Sequence, residues 1–428
     1  MTGEELDRAV AEAHDRYRRT HPASAAADAR ARRVLPGGNT RSVLDFAPFP
    51  FRVRSASGAE LLDVDGHRYV DFCGNYTAGL LGHSPATVER AIVEALHDGW
   101  TLGATHEREI ELAELICDRF DSIEQVRFTN SGTEANLMAI GTAKHATGRP
   151  GVVVFDRAYH GGVLSFGPDP GGPHHPLNVP HDFRVGTFDD PAGLDELITG
   201  DVACVLVEAV QGSGGCRPAS AEFLAALRDR CDHTGALLVF DEVMTSRLAP
   251  GGAQARFGIS PDMTTLGKYL GGGTTFGAFG GRHELMAHFD PSAGGRLTQA
   301  GTFNNNVVSM AAAIATLRYE LTPQRIAEVN DRGDRLRGAL DAVLASSQVP
   351  MSVSGLGSML CLHATDDRLL DLAFHAALAD GLYLARRGFM ALSMEITDAH
   401  VERLCDSLER FTGGATARSS SASGAARP

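Results

Sequence analysis

Apolar residues along this chain fall into two rhythms that alternate. Short runs at Gln125-Val126-Arg127-Phe128, Gly151-Val152-Val153-Val154-Phe155, Val202 to Val207 and Leu237-Leu238-Val239-Phe240 read as strands, the last three buried on both faces. Between them, 134–147 is composed of good helix formers and 219–234 has helical spacing. Strand and helix in alternation predict an α/β domain around a mostly parallel sheet. Upstream, 3–33 reads as one helix with Leu6, Val10, Ala13 and Tyr17 in a stripe. Residues 51–72 alternate apolar and polar around Asp65-Gly66, a hairpin signal. Pro85 opens a helix that carries Val88, Ala91, Ile92, Ala95 and Leu96 on one face, and 107–120 forms another. After Met310 the pattern turns helical, over 310–319 and 325–345. A strand-like Met359 to Leu362 and a last helix over 398–411 then complete a second, smaller domain.

Composition narrows the function classes. The chain has 428 residues with 39 Lys+Arg against 53 Asp+Glu, a formal net charge of −14 that argues against nucleic acid or an anionic membrane as partner. The cysteines at 73, 117, 204, 216, 231, 361 and 405 are scattered, without zinc spacing, so no metal site is expected. Their dispersal suggests reduced thiols and a cytoplasmic protein. Residues 1–33 lack a signal-peptide profile, and no window is apolar enough to span a bilayer. The stretch 168–180, dense in Pro, Gly and His, reads as a surface loop with His174-His175 in solvent.

Candidate chemistry gathers just past the strand ends, where open α/β sheets bind ligands. The run 237–240 stops at Asp241-Glu242, and Lys268 follows a further apolar segment just before Gly271-Gly272-Gly273. Aspartate with lysine in this arrangement suggests pyridoxal 5'-phosphate (PLP): the lysine forms a Schiff base and the aspartate pairs with the pyridinium nitrogen. A helix-capping Asp and a surface Lys explain the same pair. Ser131-Gly132-Thr133, between strand and helix, reads as a phosphate cradle or as a simple cap. The ring of Tyr159, in Tyr159-His160-Gly161-Gly162, either stacks on a planar ligand or packs on its own loop. Glu208 and Gln211 end the next strand, and Gly301-Thr302-Phe303 offers a hydroxyl and free N–H groups. The agreement of these strand ends on one planar, phosphorylated ligand favours PLP. Arg41, after the turn-rich 36–40, is a carboxylate binder only with other support.

Asn130-Ser131-Gly132-Thr133-Glu134-Ala135, Tyr159-His160-Gly161, Asp241-Glu242-Val243-Met244, Lys268 and Gly301-Thr302-Phe303 together resemble the class III aminotransferases, over about residues 30–410. That resemblance implies a fold-type I PLP-dependent transferase: a large PLP-binding domain over 76–315, and a smaller α+β domain from the N-terminal segment 1–75 and from 316–412. A disordered tail over 413–428 would follow. Lys268 is then the Schiff-base lysine and proton shuttle, and Asp241 the partner of the ring nitrogen. Val243 lies under the ring, Tyr159 covers it, and Ser131, Gly132 and Thr133 hold the phosphate. His160 and Glu208 line the site. Thr302 reaches the phosphate of a neighbouring subunit in a homodimer.

Two branches are nearest, glutamate-1-semialdehyde 2,1-aminomutase and the β-amino acid aminotransferases typified by β-phenylalanine aminotransferase. Arg41-Ser42-Val43-Leu44, the segment 241–250 and Arg387-Gly388-Phe389 favour the second. A transaminase must hold the carboxylates of an amino donor and of 2-oxoglutarate, and Arg41 and Arg387 are candidates for the two tasks, with Arg386 adjacent. Val43, Leu44, Phe46 and Phe49, with Tyr76, are expected to shape the substituent pocket. The expected reaction is ping-pong. An intramolecular aminomutase and a non-catalytic binding protein of the same fold are the alternatives.

Overall fold

The computed structural model describes residues 2–167 and 175–424, the side chains of 415–424 excepted. His174 of the expected 168–180 loop therefore lies outside the described residues, while His175 accepts a hydrogen bond from the Leu177 N–H at 3.2 Å. The chain divides into two units, Pro85–Asn330 and a second built from Met1–Ser84 with Asp331–Pro428. These divisions fall at 84/85 and 330/331, where the sequence reading sets 75/76 and 315/316, so Tyr76 belongs to the two-terminus unit.

The 85–330 unit holds a seven-stranded sheet: β1 (Gln125–Thr129), β2 (Gly151–Phe155), β3 (Asp182–Gly186), β4 (Val202–Val207), β5 (Leu237–Asp241), β6 (Met263–Gly267) and β7 (Gly277–Gly281). Their spatial order is β1-β7-β6-β5-β4-β2-β3. Neighbours run parallel except at β7, which is antiparallel to both β6 and β1. Strands β2, β4 and β5 are buried along their whole length, as their unbroken apolar runs require. The glycine-rich β7 carries no strand signal in sequence. Its reason is steric: a Cβ on Gly277 would lie 2.2 Å from the Ser131 carbonyl oxygen, so only glycine lets this strand pass the Ser131 turn. The helix Val307–Ala315 packs on Ala86–His97 and Glu107–Arg119, which keeps 316–330 with this unit rather than with the smaller one.

The other unit contains an antiparallel ribbon, Val53–Ser57, Glu60–Asp63 and Arg68–Asp71, extended by a parallel Leu382–Tyr383. It also contains a three-stranded antiparallel sheet of Met351–Leu356, Met359–Ala364 and Phe389–Ala391. The single helix expected over 3–33 is two, Gly3–Thr20 and Pro22–Ala31. The break follows from Pro22, which has no N–H to extend the first helix but suits the first turn of a second. The last helix is continuous from Asp398 to Gly424, so 413–424 is helical where a disordered tail is expected; 425–428 lie outside the described residues. Phe46 and Phe49 are core residues rather than pocket walls. With Tyr17, Phe51, Leu61, Tyr69, Phe374 and Leu378 they form one buried aromatic cluster. No helix among the described residues is long and apolar enough to cross a membrane.

Phe46 meets Phe374 edge-on at 4.7 Å and Tyr17 at 5.9 Å. The Phe46→Ala variant should therefore lose about 3–5 kcal/mol of stability in urea denaturation, the cost of a large aromatic cavity.

Candidate active site

The centre of the site is a carboxylate at the end of β5. Asp241 is 3% exposed. Its Oδ2 accepts from His160 Nδ1 at 2.7 Å and from Asn136 Nδ2 at 2.8 Å, and its Oδ1 accepts from the Val243 N–H at 3.0 Å. Burial pushes its pKa up. The His160 hydrogen bond and charge, the positive charge of Lys268 and the Val243 N–H more than offset that, so it lies below the ordinary carboxylate value. Asp241 is thus a buried anion at neutral pH. The helix-cap role belongs to its neighbour: Glu242 accepts from the Thr245 hydroxyl at 2.6 Å and from the Ala253 and Gln254 N–H groups at 3.0 and 2.8 Å, at the start of Gly252–Phe257.

Lys268 follows β6 directly and is half-buried. Its φ of 54° lies in the left-handed region, which costs a non-glycine residue roughly 1–3 kcal/mol and persists only where the surroundings impose it. Here β6 on one side and the tight turn Lys268–Gly271 on the other impose it.

Ser131 caps the helix Gly132–Thr147 by accepting from the Glu134 N–H at 3.2 Å. The cap leaves the Gly132 and Thr133 N–H groups without intrahelical acceptors, so capping and anion binding coexist in one turn. Space there is tight. A Cβ on Gly132 would lie 2.7 Å from Val243 Cγ2, and one on Gly161, at φ +132°, would lie 2.3 Å from Thr133 Oγ1. Val243 is thereby wedged against the helix start. Beyond β2, Tyr159 is 41% exposed, and its backbone N–H is held by Glu208 Oε2 at 3.2 Å. Glu208, just past β4, also accepts from the Gly212 N–H at 3.1 Å. Its pKa is pushed up to about 7 by burial, opposed by His160 and reinforced by Asp241. Gln211 is occupied structurally, donating to the Asp156 carbonyl at 2.7 Å. Thr302 is exposed, on a turn whose Asn304 Oδ1 accepts from Asn130 Nδ2 at 3.0 Å.

The structure thus brings together Ser131, Gly132, Thr133, Tyr159, His160, Glu208, Asp241, Val243 and Lys268 in the 85–330 unit, at the C-terminal ends of parallel strands and the helix start beside them. Sequence reasoning missed Asn136 and Thr265. Asn136 shares the buried helix face of Ala139, Ile140 and Ala143, and a polar residue in that stripe was the available signal.

Arg41, Val43, Tyr76 and Arg387 lie in the other unit, and there they meet. The Arg41 guanidinium sits 5.6 Å from the Tyr76 ring centre and that of Arg387 5.3 Å from it. Arg41 also donates to Asn75 Oδ1 at 2.7 Å, and the Tyr76 hydroxyl donates to the Val43 carbonyl at 2.8 Å. The turn is strained: Asn75, Tyr76 and Thr77 have φ of 45°, 53° and 79°. Arg386 points elsewhere, its Nε donating to Asp371 Oδ1 at 2.7 Å. Two groups, His14–Asp371–His375 and His21–Asp63–His67, bring possible metal donors within 4.8 Å of one another. Their carboxylates already accept protein donors, His14 and Arg386 in the first and His67 and Tyr69 in the second.

A buried anion, free N–H groups at a helix start and a lysine held at a strand end fit a cofactor with a cationic ring nitrogen, a phosphate and an aldehyde. The His160 Nε2, buried without a partner among the described residues, is one more polar atom facing no protein group. The aminotransferase class-III family model matches residues 45–166 and 189–411. A β-phenylalanine transaminase of Variovorax paradoxus is 46% identical over 97% of this chain and 98% of its own. The solved β-phenylalanine aminotransferase of that organism superposes with a TM-score of 0.93, over 96% of this chain and 98% of its own. A glutamate-1-semialdehyde 2,1-aminomutase of Methanothermobacter thermautotrophicus is 37% identical over 90% of this chain and 97% of its own. A solved transaminase with PLP bound is 34% identical, with a TM-score of 0.86 over 93% and 99% of the two chains. The strand-end carboxylate, the lysine and the helix-start cradle therefore belong to a PLP-dependent transaminase, and the chain is a member of the class III aminotransferases.

Proposed function

We propose that this transaminase moves the amino group of a β-amino acid, aromatic such as β-phenylalanine or aliphatic, to 2-oxoglutarate, giving a β-keto acid and glutamate in a ping-pong cycle. The observation that carries the reading is the pair of guanidinium groups, Arg41 and Arg387, over the one ring of Tyr76. Both half-reactions handle a carboxylate, and guanidinium groups bind carboxylates bidentately. Arg387 lies over Tyr76 beside Arg41 while Arg386 pairs with Asp371, which favours Arg387 for this task. The 46% identical relative named for β-phenylalanine supports the donor class.

Bound PLP supplies the electron sink that makes the proton on the amine-bearing carbon acidic. Asp241 keeps the ring nitrogen protonated through its buried negative charge. Lys268 would hold the bound cofactor, and its Nζ, once freed by the donor amine, would move the proton from the amine-bearing carbon to the cofactor. Ser131, Gly132 and Thr133 bind the phosphate, Val243 and Tyr159 flank the ring, and Glu208 anchors the Tyr159 backbone with His160 beside it. Val43 and Tyr76 border the substituent. Thr302 of a second copy completes the phosphate site in a homodimer. Support for the dimer comes from apolar side chains left exposed in the 85–330 unit, Trp100 at 52% and Phe303 at 59%. The free cysteines suit a cytoplasmic location.

Adding β-phenylalanine to the purified holoenzyme should discharge the visible absorbance of its lysine-bound cofactor, and 2-oxoglutarate should restore it. No discharge by any β-amino acid would overturn the donor class, and turnover of glutamate-1-semialdehyde without an acceptor would indicate the mutase reaction. Replacing Arg387 by Ala should raise KM for a carboxylate substrate about 10- to 100-fold, the loss of a charged hydrogen bond. The Arg386→Ala variant should instead lower the melting temperature and leave KM within about threefold, as for a partly exposed ion pair. Steady-state kinetics on the two variants separate the neighbouring arginines.

A further inference from the structure

We propose that Asn136, with Thr265 behind it, is a positioning residue that fixes Asp241 for the cofactor's ring nitrogen. The inference rests on the reading of Asp241 as that nitrogen's partner.

Asn136 is 1% exposed and lies on an otherwise apolar helix face, where an unsatisfied amide would be costly. Every polar group it has is used. One amide hydrogen goes to Asp241 Oδ2 at 2.8 Å and the other to the His160 carbonyl at 2.9 Å. Its Oδ1 accepts from the Thr265 hydroxyl at 2.6 Å. The amide has only one workable orientation, because turning it over would set its oxygen against two acceptors. Thr265 holds that orientation from the adjacent strand. It pairs with Asp241 across the parallel β5–β6 register, and it is fully buried three residues before Lys268.

One side chain therefore ties together the carboxylate, the loop bearing Tyr159 and His160, and the strand that delivers Lys268. His160 alone could supply Oδ2 with a donor. Asn136 adds a second tie, from the same carboxylate oxygen to the His160 backbone carbonyl, which the His160 ring does not make. Removing Asn136 takes a donor from a buried anion and the tie from the His160 carbonyl; removing the Thr265 hydroxyl lets the amide rotate. Both changes degrade the placement of Asp241 without touching the cofactor.

The test is equilibrium binding of PLP to the full-length apoenzyme, followed by visible absorbance, with thermal unfolding of each apoprotein alongside. Asn136→Leu should weaken PLP binding about 100-fold and Thr265→Val about 10-fold, while Thr265→Ser, which keeps the hydroxyl, should stay within about twofold. Should Asn136→Leu not fold, the Thr265 pair decides, because rescue by serine is not expected of a packing effect. Asp241→Asn separates the role of the carboxylate from that of the residues behind it. If it binds PLP as the natural protein does, the reading of Asp241 fails and the inference with it. If Asp241→Asn binds weakly but Thr265→Val binds normally, the role of Asn136 and Thr265 alone is overturned.

Discussion

A carboxylate that stays ionised inside a protein must be surrounded by donors, because the effective desolvation cost is several kcal/mol. Asp241 meets that requirement from four directions. His160 comes from the loop after β2, Asn136 from the helix after β1, and the Val243 N–H from the turn that follows β5 itself. Lys268 adds its positive charge from the end of β6. The order β6-β5-β4-β2 in the sheet is what allows elements so far apart in sequence to meet at one atom pair. The left-handed backbone at Lys268 and the close approach of Gly132 to Val243 lie beside this carboxylate.

The second unit solves a different electrostatic problem. Two guanidinium groups are held near each other over one ring, and the face of an aromatic ring is one of the few protein surfaces that suits both. Tyr76 is carried there on a turn with three consecutive non-glycine residues at positive φ, and its hydroxyl is tied to the Val43 backbone. Asp371 pairs with Arg386, with His14 on its other oxygen, so the two adjacent arginines meet different groups.

Several features that the sequence does not display depend on long-range contacts. β7 has no strand pattern because its glycines pass close to neighbouring segments, and Gly277 must clear the Ser131 carbonyl. Phe46 and Phe49 follow Arg41 closely and suggest a pocket wall, yet helix residues Tyr17 and Phe374 enclose them in the core. The acidic pair at 241–242 offers two carboxylates for one site, and only the fold shows that Glu242 turns away to cap Gly252–Phe257.

The sequence by itself determined the alternating strands and helices, the strand-end positions of Asp241 and Lys268, and the Ser131-Gly132-Thr133 helix start. Those features are local: burial on both faces of a strand demands an unbroken apolar run, and a helix start displays its capping residues in order. Tertiary structure decided which carboxylate lies against His160 and Lys268, which arginine pairs with Asp371, and that Asn136 and Thr265 stand behind Asp241. Each of those depends on hydrogen-bond partners from distant segments, and a partner's identity is set by sheet order and side-chain direction, which no stretch of neighbouring residues encodes.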